Sequence, residues 1–355
     1  MSTESAIARS RLSGDRMSLL TKIARMYHEQ GMRQPEIADR LHISQSRVSR
    51  FLKEAVTLGV VRTIVVPPAG VYPELEEAIR DLYGLQDVVV VESAGEEDTA
   101  IISALGSAGA AYLETTLNAS DRVGISSWSA TLLATVDSMA PRNIRSAAEI
   151  VQVIGGVGKP GVQVKATHLT DRLARVTGAT PRFFPAPGIV ASVAVRDALL
   201  ADSYVRDLAS AWKGLSVVLA GIGSLQPSPL LKDSGNAVSE ADMDTLRLQG
   251  AVGDICLRFF DADGQLVDTE LDKRVVGISS EDLRSVPRTV GIAGGLRKFE
   301  AIRAAARGQW IDVLITDLET ARRLLVETTN SVSIADPVPV SASDEEQFEV
   351  DVAGA

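Results

Sequence analysis

The sequence predicts an α/β protein built as a small, winged-helix-like helix-turn-helix unit followed by a larger Rossmann-like α/β body. Three observations carry that expectation. Between residues 16 and 57 apolar side chains recur at helical spacing in three short blocks. From Gln86 onward near-continuous Val/Ile/Leu runs alternate with helical patterns, which marks a mostly parallel sheet covered on both faces. The formal net charge of −10 divides at the same place: residues 1–66 carry +5, from eleven Lys/Arg and six Asp/Glu, and the remainder carries −15. With 355 residues, 45% of them hydrophobic, the chain is long enough for two or three domains and a sizeable core.

In order, the first block is a helix over about Arg16 to Gln30, with Leu20, Ile23, Ala24 and Tyr27 on one side. A second helix spans Glu36 to Leu41, with Pro35 in its first turn, where no backbone N–H is needed. His42 and Ile43 make the short turn that a helix-turn-helix requires. Ser44 is the expected N-cap of the third helix, in which Val48, Phe51, Leu52 and Ala55 repeat at i, i+3, i+4, i+7 and form the buried face. Gln45, Ser46, Arg47, Ser49, Arg50 and Lys53 stand around the rest of that helix, and all are donors suited to phosphate oxygens or base edges. Together with Gln34 and Ser44 they are the candidate contacts to double-stranded operator DNA. A positive head releases counterions on binding, while an acidic body discourages non-specific contact.

Residues 60–66, VVRTIVV, predict a strand that serves as a minimal wing, and Pro67-Pro68-Ala69-Gly70 ends the first domain. Residues 67–85 form a linker with a helix from Pro73 to about Tyr83, packed on the body or against a second copy. The body, residues 86–328, is expected to run strand 87–92, helix 98–117, strand 122–126, strand 149–156, helix 163–177, strands 183–187, 216–223, 254–260 and 289–295, helix 297–307 and strand 312–317. Residues 329–355 contain no Lys or Arg, end in acidic SDEEQFEVDVAGA, and read as a disordered tail.

No window approaches the roughly 18 to 20 apolar residues of a membrane helix, and the N-terminal residues lack the apolar core of a signal peptide, so a cytoplasmic protein is expected. The single Cys256 has no internal disulfide partner, and His28, His42 and His168 are scattered, so neither a metal nor another cofactor is expected.

Ligands of such sheets sit at the carboxyl ends of the strands, which singles out three loops. Ser126, Ser127, Trp128, Ser129 and Thr131 place hydroxyls and an aromatic ring where a strand meets a helix start, a cradle for an anion whose bland alternative is simple capping. Gly155 and Gly156 follow the next strand, where glycines also serve merely to turn the chain. Gly294 and Gly295 precede Arg297 and Lys298, and cations in a first helical turn oppose the dipole unless an anion offsets them.

With these motifs in view, the chain resembles the SorC family of bacterial transcriptional regulators, grouped with DeoR-type regulators, through QPEIADRLHISQSRVSRFLKEAVTLGVV, GDICLRFFDADG and GIAGGLRKFEAIRAAARGQWIDVLITD. The resemblance implies a body like the sugar-isomerase and CoA-transferase fold, a sugar or sugar phosphate as effector, and a homo-oligomer, dimer or tetramer. It assigns the effector to Ser126–Thr131, Gly155-Gly156 and the Gly294-Gly295 turn with Lys298. Ser129 stands where many relatives have glycine, which narrows the approach of a phosphate. The lysine that forms a Schiff base with the sugar in one branch falls near Ile154, which cannot react. The competing reading is a phosphosugar isomerase or CoA-transferase with a DNA-binding head, using Asp254, Asp261 or Asp263 as base and Lys298 as electrophile. Asp261-Ala262-Asp263-Gly264 reads more simply as a hairpin turn, and Asp254 as a residue at a strand start. A nucleotide-binding regulator lacks the G-x-G-x-x-G that would open a helix after the first strand.

Overall fold

The computed structural model describes residues 3–61, 67–141, 144–157, 159–226, 232 and 238–332. They fall into two compact units, Met1–Pro68 and Ala69–Ala355. In the first, helices α1 (Thr3–His28), α2 (Gln34–Leu41) and α3 (Gln45–Thr57) close one small core. Leu20, Ile23, Ala24, Ile37, Ala38, Val48, Phe51, Leu52 and Ala55 are buried in it. Met26 is buried in that core in place of the expected Tyr27, which stays 39% exposed with its ring edge-on to His28. Helix α1 extends well before Arg16, and α2 begins two residues before Glu36, whose carboxylate accepts from the Arg33 N–H at 2.8 Å. His42 ends α2 in the left-handed region at φ 55°. Of the expected wing, residues 62–66 lie outside the described residues, as do residues 333–355 of the acidic tail.

The second unit holds a seven-stranded parallel sheet in the order β1 (Asp87–Val91), β10 (Val313–Asp317), β9 (Thr289–Ile292), β5 (Val217–Ala220), β2 (Arg122–Ile125), β3 (Glu149–Gln152), β4 (Thr180–Arg182). Successive side chains point to opposite faces, and here both faces are buried. Val218 and Ala220 join a core that includes Ile79 of helix α4 (Pro73–Tyr83), Phe299, Ala321 and Leu324. Val217 and Leu219 join one with Leu105 and Leu113 of helix α5 (Asp98–Thr116), Leu132 of helix α6 (Ala130–Ser138), and Leu173 of helix α7 (Pro160–Thr177). Helix α4 packs on edge strand β1 and on the last described helix, Leu318–Val332. Glu76 Oε1 there accepts from the otherwise outward-facing N–H of Val90 at 2.9 Å.

Three expected strands are corrected. Residues 183–187 form no strand: the ladder uses Thr180–Arg182 instead, because Pro185 and Pro187 have no N–H to donate. Run 216–223 breaks at Gly221, after which β6 (Gly223–Ser224) joins a separate antiparallel sheet with β7 (Ala251–Ile255) and β8 (Arg258–Asp261). Run 254–260 is the hairpin between β7 and β8, with Ile255 opposite Arg258 and only Cys256 and Leu257 between. Both turn residues have positive φ, 55° and 62°, the pattern of a type I′ turn without the usual glycine or asparagine. Helices over Val193–Ala201, Ser203–Ser210, Glu240–Leu248 and Leu318–Val332 add to those expected from the sequence.

Candidate functional site

Helix α3 turns two unlike faces outward and inward. Val48, Phe51, Leu52 and Ala55 are buried, while Gln45, Ser46, Arg47, Arg50 and Lys53 are exposed. Ser44 caps the helix, its Oγ accepting from the Arg47 N–H at 3.3 Å and lying 3.0 Å from Ser46 Oγ. Ser49 and Gln34 are half-buried, and Gln34 opens α2 rather than sharing α3. The Arg47 guanidinium lies 5.6 Å from the Phe51 ring centroid. Among the described residues Arg50 and Lys53 have no ion-pair partner, so their charge is available to an outside anion.

In the body, the strand order fixes a switch point that the sequence does not reveal. From β2 the chain moves outward to β3 and β4, whereas from β5 it moves the other way to β9 and β10. The strand order reverses between β2 and β5, and sheets of this kind take their ligands outside the carboxyl ends of the strands at such a switch point. Residues 126–131 lie on one side and 221–223 on the other. A Cβ on Gly221 would sit 2.6 Å from Ser129 Oγ, so glycine allows the two loops to meet. Ser129 is the N-cap of α6, its Oγ accepting from the Leu132 N–H at 3.2 Å. The N–H groups of Ala130 and Thr131 are those a helix start leaves without an internal partner. Ser127 Oγ donates to the Ile154 carbonyl at 3.2 Å, and Ser126 and Thr131 are buried. Trp128 is 8% exposed, and its indole N–H has no acceptor among the described residues.

Gly155 and Gly156 are closely packed. A Cβ on Gly155 would lie 2.2 Å from the Pro187 carbonyl oxygen, and one on Gly156 would touch the Gln152 amide. Their N–H groups already donate to Val276 and Phe184 carbonyls at 3.0 and 3.4 Å.

The Gly294-Gly295 turn follows β9, the neighbour of β5. Gly295 has φ 87°, and its N–H donates to Asp317 Oδ2 at 2.7 Å and to Thr320 Oγ1 at 3.1 Å. Lys298 ends the short 3-10 turn Leu296–Lys298, and burial lowers its pKa although the Asp254 carboxylate pulls the other way. Asp254 is no strand-start residue: it is the last but one of β7 and pairs with Gly223, where a Cβ would meet Asp254 Oδ1 at 2.0 Å. Its Oδ2 accepts the Leu257 N–H of the strained turn at 3.0 Å. Burial pushes its pKa up to about 6 against the pull of that N–H and of Lys298. Asp261 instead holds a turn, accepting from the Asp263 and Gln265 N–H groups at 3.0 and 2.9 Å, and Asp263 pairs with Arg307 at 3.1 Å. The Cys256 thiol is buried and pushed up to about 12, which leaves it protonated and inert. Among the described residues no group of His, Cys, Asp and Glu forms a metal site, and no helix is long and apolar enough to cross a membrane.

The structure thus brings Ser129 and Gly221 into contact, sets Gly223 against Asp254, and couples Asp254 to Lys298. Gly221, Gly223 and Asp254 escaped the effector assignment, although Gly-Ile-Gly directly after the apolar run SVVLA was a readable sign.

The family described as "Putative sugar-binding domain" matches residues 71–326. The chain is 31% identical to the deoxyribonucleoside regulator of Bacillus subtilis (strain 168), over 88% of this chain and 98% of that one. It is also 31% identical to the sorbitol operon regulator of Klebsiella pneumoniae, over 88% and 99%. The crystal structure of full-length SorC from Klebsiella pneumoniae superposes with a TM-score of 0.66 at 30% identity, covering 87% of this chain and 98% of that one. A match across most of both chains, with the same fold and a sugar-binding body, places this chain in the SorC/DeoR-type family of sugar-binding transcriptional regulators.

Proposed function

We propose that the chain binds operator DNA through helix α3 and that a sugar or sugar phosphate, held at the switch point, sets how tightly it binds. The observation that carries the reading is the convergence of loops 126–131, 221–223 and 294–298 where the strand order reverses. The first of these offers unpaired helix-start N–H groups and the last a half-buried lysine. Gln45, Ser46, Arg47, Arg50 and Lys53 supply the DNA face, with Ser44 capping the helix that carries them. A homo-oligomer pairs two heads on half-sites about one helical turn, or a multiple of it, apart. The deoxyribonucleoside and sorbitol named for the relatives make polyhydroxylated pentose and hexose derivatives the first compounds to try.

Asp254 and Lys298 act here as binding groups. A carboxylate accepts from sugar hydroxyls, and an ammonium faces a phosphate. No turnover of pentose or hexose phosphates is expected; isomerisation abolished by Asp254→Ala would replace this reading with the enzymatic one. The direct test measures affinity for the chain's own promoter and for random DNA, with and without sugar phosphates. Arg50→Ala is expected to weaken operator binding by more than about 1 kcal/mol and to leave effector binding intact. Lys298→Ala is expected to do the reverse, and an unchanged response to every sugar phosphate in that variant refutes the site.

A further inference from the structure

Taking the Gly294-Gly295 turn as part of the effector site, we propose that Asp317 is its positioning residue. We further propose that Asp317 ties the turn, through helix Leu318–Val332, to helix α4, the first helix after the N-terminal unit. Asp317 ends β10 and is 3% exposed. Its Oδ2 accepts from the Gly295 N–H at 2.7 Å and from Thr320 Oγ1 at 2.6 Å, and its Oδ1 accepts from the Thr320 N–H at 3.0 Å. The Oγ1 of Thr320, itself fully buried, accepts from the same Gly295 N–H at 3.1 Å. One carboxylate thus closes both the turn and the first turn of the following helix. Gly294 is glycine because a Cβ there would lie 2.3 Å from Asp317 Oδ2. Moving the turn without the helix would strand a buried carboxylate and a buried N–H, so the two ends shift together.

The far part of that helix reaches α4. Tyr83 Oη donates to the Leu324 carbonyl at 3.2 Å, and the two helices are in contact. The Arg323 guanidinium lies 4.6 Å from the Phe299 ring, the residue directly after Lys298, which gives the turn a second grip on the same helix. Helix α4 begins at Pro73, five positions past Pro68, where the N-terminal unit ends. A ligand that pulls on Gly295 or Lys298 therefore acts on the helix that follows the N-terminal unit along the chain, and the coupling is reciprocal.

Hydrogen exchange on the full-length protein tests the tie without requiring any ligand. In Asp317→Asn and in the near-isosteric Thr320→Val, exchange at 294–299 and at 73–83 is expected to rise together, by about tenfold for one buried hydrogen bond lost. Helix Val193–Ala201 should stay as it is. Tyr83→Phe should raise exchange at 73–83 alone. Wild-type exchange at 73–83 in both Asp317→Asn and Thr320→Val overturns the proposal, as does an equal rise at 193–201. A second arm adds ribose 5-phosphate or fructose 6-phosphate, expected to slow 294–299 and 73–83 in the wild type but only 294–299 in Tyr83→Phe. If neither compound protects 294–299 while the variants behave as expected, the effector assignment falls and the tie stands. If 73–83 is protected equally in Tyr83→Phe, the route through Leu324 is wrong.

Discussion

Replacing Asp254 by Asn should change how the body's stability depends on pH. The acid's pKa rises from 3.8 to about 6 on folding because burial disfavours its charge. That makes its ionisation in the folded chain about 3 kcal/mol more costly, at about 1.36 kcal/mol for each tenfold. The sign is the reverse of the usual carboxylate case. Between pH 3.8 and about 6 the folded state binds more protons than the unfolded state, so stability falls as pH rises and the whole cost is present above pH 6. Asn keeps an acceptor for the Leu257 N–H but cannot ionise. Trp128, Trp212 and Trp310 are the only tryptophans and all lie within Ala69–Ala355, so urea unfolding followed by their fluorescence reports this unit alone. At fixed protein concentration, because any oligomer adds its own mass-action term, the stability lost from pH 4 to 6.5 should be about 2–3 kcal/mol smaller in Asp254→Asn. The other carboxylates titrate in both proteins and cancel. A variant that follows the wild type across this window refutes the burial argument, and with it the picture of Asp254 as a charge held ready for a ligand.

Gly155→Ala should destabilise the body by about 3 kcal/mol or more, because its Cβ would meet the Pro187 backbone carbonyl at 2.2 Å and neither chain can yield. Gly95→Ala is the control, with open space around it, and should stay within about 0.5 kcal/mol; equal effects in urea melts would sink the packing account of Gly155. His42→Gly relieves a left-handed residue in the exposed turn before α3. It should stabilise the N-terminal unit by about 0.5–1 kcal/mol, seen as slower hydrogen exchange over 34–57, and faster exchange there would contradict it.

Much of this protein is set by local rules and was legible without coordinates. The i, i+3, i+4, i+7 repeat of Val48, Phe51, Leu52 and Ala55 fixes which face of α3 is buried, and so which donors it displays. Apolar runs such as Val88–Val91 and Leu314–Ile315 announce parallel strands, since both faces of each must be covered. What the sequence could not supply is the order of those strands, because each run fits any interior position equally well. That order makes β2 and β5 neighbours, and so brings Ser129 to Gly221 from nearly a hundred residues away. It also sets the surroundings of single residues: Gly155 and Gly156 are packed against Pro187 and Gln152, while Asp254, expected at a strand start, lies near the end of β7 opposite Gly223. Periodicity is a property of near neighbours along the chain. A binding site is a property of neighbours in space, and only closing the sheet creates them.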